Sequence, residues 1–215
     1  MIRLGVLDQA PVPNGSSPQQ AVSNTIDLAV RAENFGYSRY WVAEHHGYAG
    51  FASSAPEVLV GAIASHTKRI RVGAGGVLLN HYNPLKVAEV FRLLEALHPN
   101  RIELGLGQAP GGNPTVVATL SPQLATNTKD RYPNRLRELV HFLSDRGTDN
   151  NPPLASPLVE GIPPIWLLAS SNDSALLAAE LGVRLAWAHF LSVEDGPQAV
   201  DLYRSNFSPS GQLSE

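Results

Sequence analysis

Cysteine is absent from the 215-residue sequence. That excludes disulfide frameworks, thiolate metal centres and a cysteine nucleophile, and a reducing compartment is unobjectionable. No Lys/Arg-rich block occurs either, and the net charge is -3 with a pI of about 6.2. Nothing in that balance draws the chain to nucleic acid or to an anionic membrane. Long apolar runs are also missing. The first run, from Ile2 to Leu7, stops at Asp8, too soon for the apolar part of a signal peptide, and no stretch approaches membrane-spanning length. The expectation is a soluble, cytoplasmic protein with no nucleic-acid or membrane partner. No His-x-x-x-His spacing is present, and no metal site is expected. Neither an internal repeat nor a linker divides the chain, so residues 1–215 are read as one domain, with a hydrophobic content of 43% to build its core.

What is present is a regular alternation. Short apolar runs at residues 2–7, 39–43, 70–75, 101–106, 165–168 and 184–188 read as six strands. Amphipathic stretches lie between them. Ser17-Pro18-Gln19-Gln20 and Ser54-Ala55-Pro56-Glu57 have the form of capping boxes, Asn83-Pro84 caps a third helix, and Gly36 is a helix stop. Further helices are expected at residues 132–143, 174–181 and 197–207. Residues 107–128 read as a long functional loop rich in Gly and Pro, and residues 150–157 as an irregular excursion. Near-continuous apolar strands alternating with helices predict a parallel sheet covered by helices. Right-handed crossovers allow either an open doubly wound sheet or a barrel.

Both architectures place function at the C-terminal ends of the strands. Glu44, His45 and His46 follow strand two. Strand three runs into Gly75 and Gly76, and Gln108 follows the glycines of strand four. Ser170, Ser171 and Ser174 follow strand five. Titratable, polar and glycine residues thus gather on one rim, which is the pattern of an enzyme site. Each piece also has a plainer reading: a solvated loop at Glu44-His45-His46, a bulge at Gly75-Gly76, a simple helix cap at Ser171. An anion site at the serines draws on the free N–H groups of a helix N-terminus. His66, His98 and His141 are read as helix or loop residues without a site role.

Seven segments, in order, carry a resemblance: LGVLDQ at 4–9, YWVAEHH at 40–46, SSAPE at 53–57, RVGAGGV at 71–77, NPLKVAE at 83–89, RIELGLG at 101–107 and WLLASS at 166–171. Together they are similar to the luciferase-like flavin monooxygenases, in particular the single-chain oxidoreductases resembling alkanal monooxygenase. The resemblance implies an α/β fold of the TIM (β/α)8-barrel type and oxygen chemistry on FMN. The FMN would be reduced by NAD(P)H or by a separate flavin reductase, and the substrate would be a small organic molecule such as an aldehyde. It implies a catalytic role for His45, with His46 and Glu44 in the same motif. It also implies a cis peptide at Gly75–Gly76 and a flavin phosphate held by Ser170, Ser171 and Ser174.

Two departures stand out. Gln108 occupies the place of an arginine that grips the phosphate in the family, and an amide lacks that charge-assisted bidentate hold. Only six strands are found, so the last two βα units of the barrel are missing. Three readings follow: a monooxygenase, a non-catalytic or vestigial flavin-binding protein, and a deazaflavin-dependent reductase. An incomplete barrel leaves free strand edges, which predicts a homo-oligomer formed by edge pairing or through the outer helices.

Overall fold

A computed structural model describes residues 2–122, 131–148 and 150–213. Six strands, β1 (Gly5–Asp8), β2 (Arg39–Val42), β3 (Arg71–Leu78), β4 (Ile102–Gly107), β5 (Ile165–Ala169) and β6 (Arg184–Trp187), form one sheet in chain order, every neighbouring pair parallel. The connecting helices are α1 (Pro18–Asn34), α2 (Pro56–His66), α3 (Pro84–Leu97), α4 (Pro114–Leu120), α5 (Arg131–Ser144), α6 (Asn172–Glu180) and α7 (Gly196–Ser205). The expected parallel order is what the structure shows.

Local signals explain most boundaries. Ser17 Oγ accepts from Gln20 N at 3.1 Å and opens α1, with proline at the first helical position. The Gln20 side chain turns to Asn24 instead of returning to the cap, so the box is one-sided. Gly36, at φ +82°, ends the helix, its N–H donating to Glu33 O at 3.0 Å. Asn83 and Ser171 cap α3 and α6 through their side chains.

Four sequence expectations need correction. Ser54 does not cap α2; Ala55 holds that position without a side-chain bond, and Pro56 supplies the start. Strand three continues to Leu78, so Gly75 and Gly76 lie inside it, with a register shift against β4 between Ala74 and Val77. The stretch read as a loop at 107–128 contains α4, capped by Asn113 accepting from Val116 N at 3.0 Å; residues 123–130 lie outside the described set. The fourth correction concerns the strands themselves, whose two faces differ.

Alternate residues of a strand point to opposite faces. Tyr40, Val42, Val72, Ala74, Ile102, Leu104, Ile165 and Leu167 face the helices and are buried with Ile63, Phe91, Leu136 and Leu139 in one core. The other face is not apolar throughout: it carries Arg39, Trp41, Arg71, Glu103, Trp166 and Arg184. Glycines make room there. A Cβ on Gly73 would come within 2.9 Å of the Glu103 side chain, and one on Gly75 within 2.7 Å of Leu7 Cδ1. Trp41 and Trp166 meet edge to face at 5.4 Å, and Trp41 Nε1 donates to Glu103 Oε2 at 2.8 Å. Leu7 of β1 and Ala186 of β6 line one cavity of about 250 Å³ on this face, so the sheet curls round toward closure with β1 and β6 as its edges.

Arg92 of α3 is a structural fastener. It is only 1% exposed, and its guanidinium donates to Ala155 O, to Phe142 O at 2.7 Å, to Leu143 O at 3.2 Å and to Asp145 O at 2.6 Å. It thereby closes the C-terminal carbonyls of α5, which a helix end leaves unpaired. Arg92→Leu should lower unfolding stability by about 3 kcal/mol, because those carbonyls stay buried without donors. Urea denaturation checks this, with the midpoint falling and the slope unchanged.

Candidate active site

The loops following all six strands surround a cavity of about 300 Å³. Glu44, His45, Gly75, Gly76, Gln108, Ser170, Ser171 and Ser174 all line it; His46 is the one expected site residue that does not. The peptide between Gly75 and Gly76 is cis.

The two adjacent histidines have opposite surroundings. His45 lies flat on Phe51, ring centroids 4.4 Å apart at 24°. Its Nδ1 is buried and has no hydrogen-bond partner in the protein, while its backbone N–H donates to Ser53 O at 2.8 Å. Burial pushes the imidazole below its ordinary range; Glu44 opposes that push and His46 adds to it. His45 is therefore a neutral imidazole at the cavity wall near neutral pH, able to accept a proton or to give up a ring N–H.

His46 turns the other way. Its Nε2 lies 2.6 Å from Glu44 Oε1, and its ring meets that of His81 edge to face at 5.8 Å. The carboxylate of Glu44 is buried and committed to three donors. Oε1 accepts from Tyr82 Oη at 2.7 Å as well as from His46, and Oε2 accepts from Leu78 N at 3.0 Å. Burial and the carboxylate of Glu44 raise the Tyr82 phenol far above its ordinary range, so it stays a donor. Glu44 and His46, grouped with His45 in the motif, thus tie the end of β2 to the end of β3 and the turn at Leu79–His81. Their side chains position the rim.

Serines dominate the opposite wall. Ser171 Oγ accepts from Ser174 N at 3.4 Å and donates to Ser174 Oγ at 3.1 Å. The remaining N–H groups at the start of α6 are of the kind that receives an anion. Gln108, exposed, follows β4 on the same cavity, its backbone carbonyl accepting from Asn80 Nδ2 at 3.4 Å.

Rim reading by residue type overlooked several groups. Leu7, Leu78, Leu168, Phe190 and Leu191 supply apolar wall, and Phe190 and Leu191 are 74% and 69% exposed. An apolar residue at the end of a strand, like Leu7, Leu78 and Leu168, or just past one, like Phe190 and Leu191, has no chemical signature in the sequence. His81 bridges two loops, its Nδ1 2.8 Å from Ser121 Oγ and its Nε2 2.9 Å from Pro110 O. The start of α4 could have been found from Asn113-Pro114, which repeats the Asn83-Pro84 signal.

Comparison with known proteins fits a sheet of this order carrying this rim. The luciferase-like monooxygenase family matches over residues 2–212, and the chain belongs to that family. Bacillus subtilis (strain 168) YwcH, of uncharacterised function, is 48% identical over 98% of this chain and 64% of its own length. A luciferase-like monooxygenase of Escherichia coli (strain K12) is 43% identical over 100% of this chain and 63% of its own. The B. subtilis N-acetyl-S-alkylcysteine monooxygenase is 42% identical over 91% and 59%. The chain therefore spans less than two thirds of these relatives.

Among solved structures, apo-MsnO8 superposes with a TM-score of 0.90 at 42% identity, covering 100% of this chain and 64% of that one. The oxygenating constituent of 3,6-diketocamphane monooxygenase in complex with FMN gives 0.77 at 20% identity, covering 99% and 64%. An F420-dependent secondary alcohol dehydrogenase gives 0.68 at 18%, covering 98% and 66%. The last two likenesses concern the fold alone, which is the six-stranded part of a TIM-type barrel.

The surroundings of His45 carry a direct consequence. Its side-chain titration, followed by NMR of the histidine ring protons, should have a midpoint below the ordinary value of about 6.5. Phe51→Ala, which opens the ring to water, should move that midpoint back up. A His45 midpoint at or above the ordinary value would contradict the desolvated setting.

Proposed function

We propose that these residues form the flavin side of an FMN-dependent monooxygenase that uses molecular oxygen on a small organic substrate. One observation carries the reading: a single cavity joins a neutral, desolvated imidazole at His45 to a hydroxyl-lined helix N-terminus at Ser171, with apolar wall between them. Membership of the luciferase-like family supports it.

The residues suit FMN on chemical grounds. Ser170, Ser171, Ser174 and the first N–H groups of α6 would hold the phosphate. Leu78, Leu168 and the backbone of Gly75 and Gly76 would receive the ring. When bound, reduced FMN supplies the electrons and the reaction with oxygen. The chain supplies position, dryness and a proton carrier. His45, stacked on Phe51 and free at Nδ1, would hold or move a proton at that atom. Glu44 fixes the backbone from which His45 projects. NAD(P)H or a separate flavin reductase would supply the reduced cofactor.

A non-catalytic flavin-binding protein is the second reading, favoured by the barrel's free edges at β1 and β6. A deazaflavin reductase is the third. Oxygen uptake with a flavin reductase and NAD(P)H separates the first two, and the visible spectrum of the bound cofactor separates FMN from a deazaflavin. Among the described residues no helix is long and apolar enough to cross a membrane. Self-association through free edges or outer helices is part of the proposal, with Val58, Leu93 and Leu97 exposed on α2 and α3.

His45→Ala should cut turnover by roughly 10²- to 10⁴-fold while leaving the unfolding midpoint almost unchanged. Intact turnover in that variant would remove His45 from the proton role.

Position 108 gives a sharper test of where the phosphate lies. Gln108→Arg adds a fixed positive charge and paired donors. A hydrogen bond to a charged group contributes about 1.5–3 kcal/mol, and a neutral one about half that. FMN should therefore bind about tenfold tighter, and riboflavin, lacking the phosphate, should be unchanged. Flavin fluorescence titrations of both ligands against both proteins check this. Equal changes for the two ligands, or none, would place the phosphate elsewhere.

A further inference from the structure

One polar residue of the cavity wall has no part in the site described above. Gln9 lines the cavity together with Leu7 and His45, and it is exposed, its amide bonded to no described residue. Side chains alternate along a strand and its extension. Leu7 and Gln9 therefore share the inner face, while Asp8 between them turns outward to Thr25 of α1. The other polar groups of the wall stand elsewhere or are engaged. Ser170, Ser171, Ser174 and Gln108 follow β4 and β5, and the Glu44 carboxylate already takes three donors. Beside Leu7, Phe190 and Leu191, Gln9 is the free polar side chain that accompanies His45.

The backbone of Gln9 is fixed on both sides. Asp8 is buried. Its Oδ1 accepts from Ala10 N at 2.8 Å, and its Oδ2 accepts from Thr25 Oγ1 at 2.8 Å and from Tyr40 Oη at 2.5 Å. Burial and the Asp8 carboxylate raise the Tyr40 phenol far above its ordinary range, so it remains a donor. Ala10 is buried at φ +48°, a left-handed conformation that residues with a side chain rarely adopt and that persists where the surroundings over-determine it. Its carbonyl accepts from Ala52 N at 2.9 Å, and Val12 N donates to Gly50 O at 2.8 Å. The segment at 50–53 that makes these bonds also carries Phe51, on which His45 is stacked, and Ser53, whose carbonyl accepts from His45 N. One short segment thus sets Gln9 and His45 together, the fixed placement that a ligand contact needs.

We propose that Gln9 is a specificity-determining contact, which receives the polar group of a neutral substrate whose apolar body lies against Leu7, Phe190 and Leu191. The proposal rests on the monooxygenase reading of this cavity. Charge selects the substrate class. Among the described residues no Lys or Arg lines the cavity, and its one acid, Glu44, is committed to His46, Tyr82 and Leu78 N. An ionised group at this end would lose its hydration and meet no counter-charge. A primary amide offers an acceptor and two N–H donors without charge, so it suits a carbonyl, a hydroxyl or another uncharged oxygen.

The test is made on the chain without flavin, by NMR of the Gln9 side-chain amide, assigned by its absence from Gln9→Leu, and of the His45 ring protons. Three probes are used: hexan-2-one, neutral with one carbonyl; toluene, with no hydrogen-bonding oxygen; and hexanoate, which is charged. In the native chain hexan-2-one should shift both sets of signals and bind more tightly than hexanoate. Gln9→Leu should weaken hexan-2-one about three- to tenfold, the size of one hydrogen bond, and leave toluene as tight or tighter. FMN affinity and the unfolding midpoint should not change. Failure of hexan-2-one to move the Gln9 amide, equal loss of hexan-2-one and toluene, hexanoate binding as tightly as hexan-2-one, or a fall in FMN affinity overturns the proposal. The two readings fail separately. No oxygen uptake with FMN, NAD(P)H and a flavin reductase, beside intact Gln9-dependent binding of hexan-2-one, sinks the monooxygenase and leaves the contact standing.

Discussion

Every strand of this sheet runs parallel to its neighbour, and the rest of the molecule follows from that constraint. A parallel link cannot be a tight turn; each must cross back over a helix. All six C-terminal strand ends therefore open on one rim, where the sheet no longer holds the chain. Side chains hold it instead. Glu44 draws together the ends of β2 and β3 and the turn at Tyr82 with one carboxylate. His81 joins the loop after β4 to Ser121. Trp187 Nε1 donates to Ser192 O at 2.9 Å and fixes the loop after β6. The protein's own side chains thus hold the rim, as a binding site with correctly placed polar groups requires.

The pair His45-His46 shows how one dipeptide divides two tasks. Successive residues at a strand end point to opposite sides. One imidazole faces the cavity, with a nitrogen left over and burial keeping it neutral. The other faces the scaffold and is held by a buried carboxylate. Exchanging them is not conservative, because the surroundings assign the chemistry. The same alternation separates the sheet's faces, one packed with Val, Ile and Leu against helices, the other set with arginine, tryptophan and glycine.

Much of this was legible in the sequence. The six strands and their parallel order followed from apolar runs alternating with capped helices, since Ser17, Asn83 and Ser171 announce helix starts by their own chemistry. Residue type at strand ends located His45, Gln108 and the serines. The unread parts share a physical cause: they depend on contacts between distant segments. Arg92 looks like any arginine on a helix until the carbonyls of α5 meet it. Arg39 and Arg184 sit at strand positions where a mostly apolar run hides them. Phe190 and Leu191 become cavity wall only because β6 curls toward β1. The start of α2 was read in the right place but with the wrong cap, since Ala55, not Ser54, precedes Pro56 and makes no side-chain bond.

The cavity's two ends differ in how complete they are. Its polar end, with Ser170, Ser171, Ser174 and Gln108, is bounded by β4, β5 and α6, all inside the sheet. Its apolar end, with Leu7, Phe190 and Leu191, stands at β1 and the loop after β6, where the sheet has free edges. On the proposed reading, the polar end would take the phosphate and the apolar end would face the substrate. Flavin affinity and turnover are then separable properties. Affinity belongs to elements already locked by helix caps and strand pairing. Turnover would also require water to be kept from the reacting flavin, and on this reading that falls to the apolar wall at Leu7, Phe190 and Leu191.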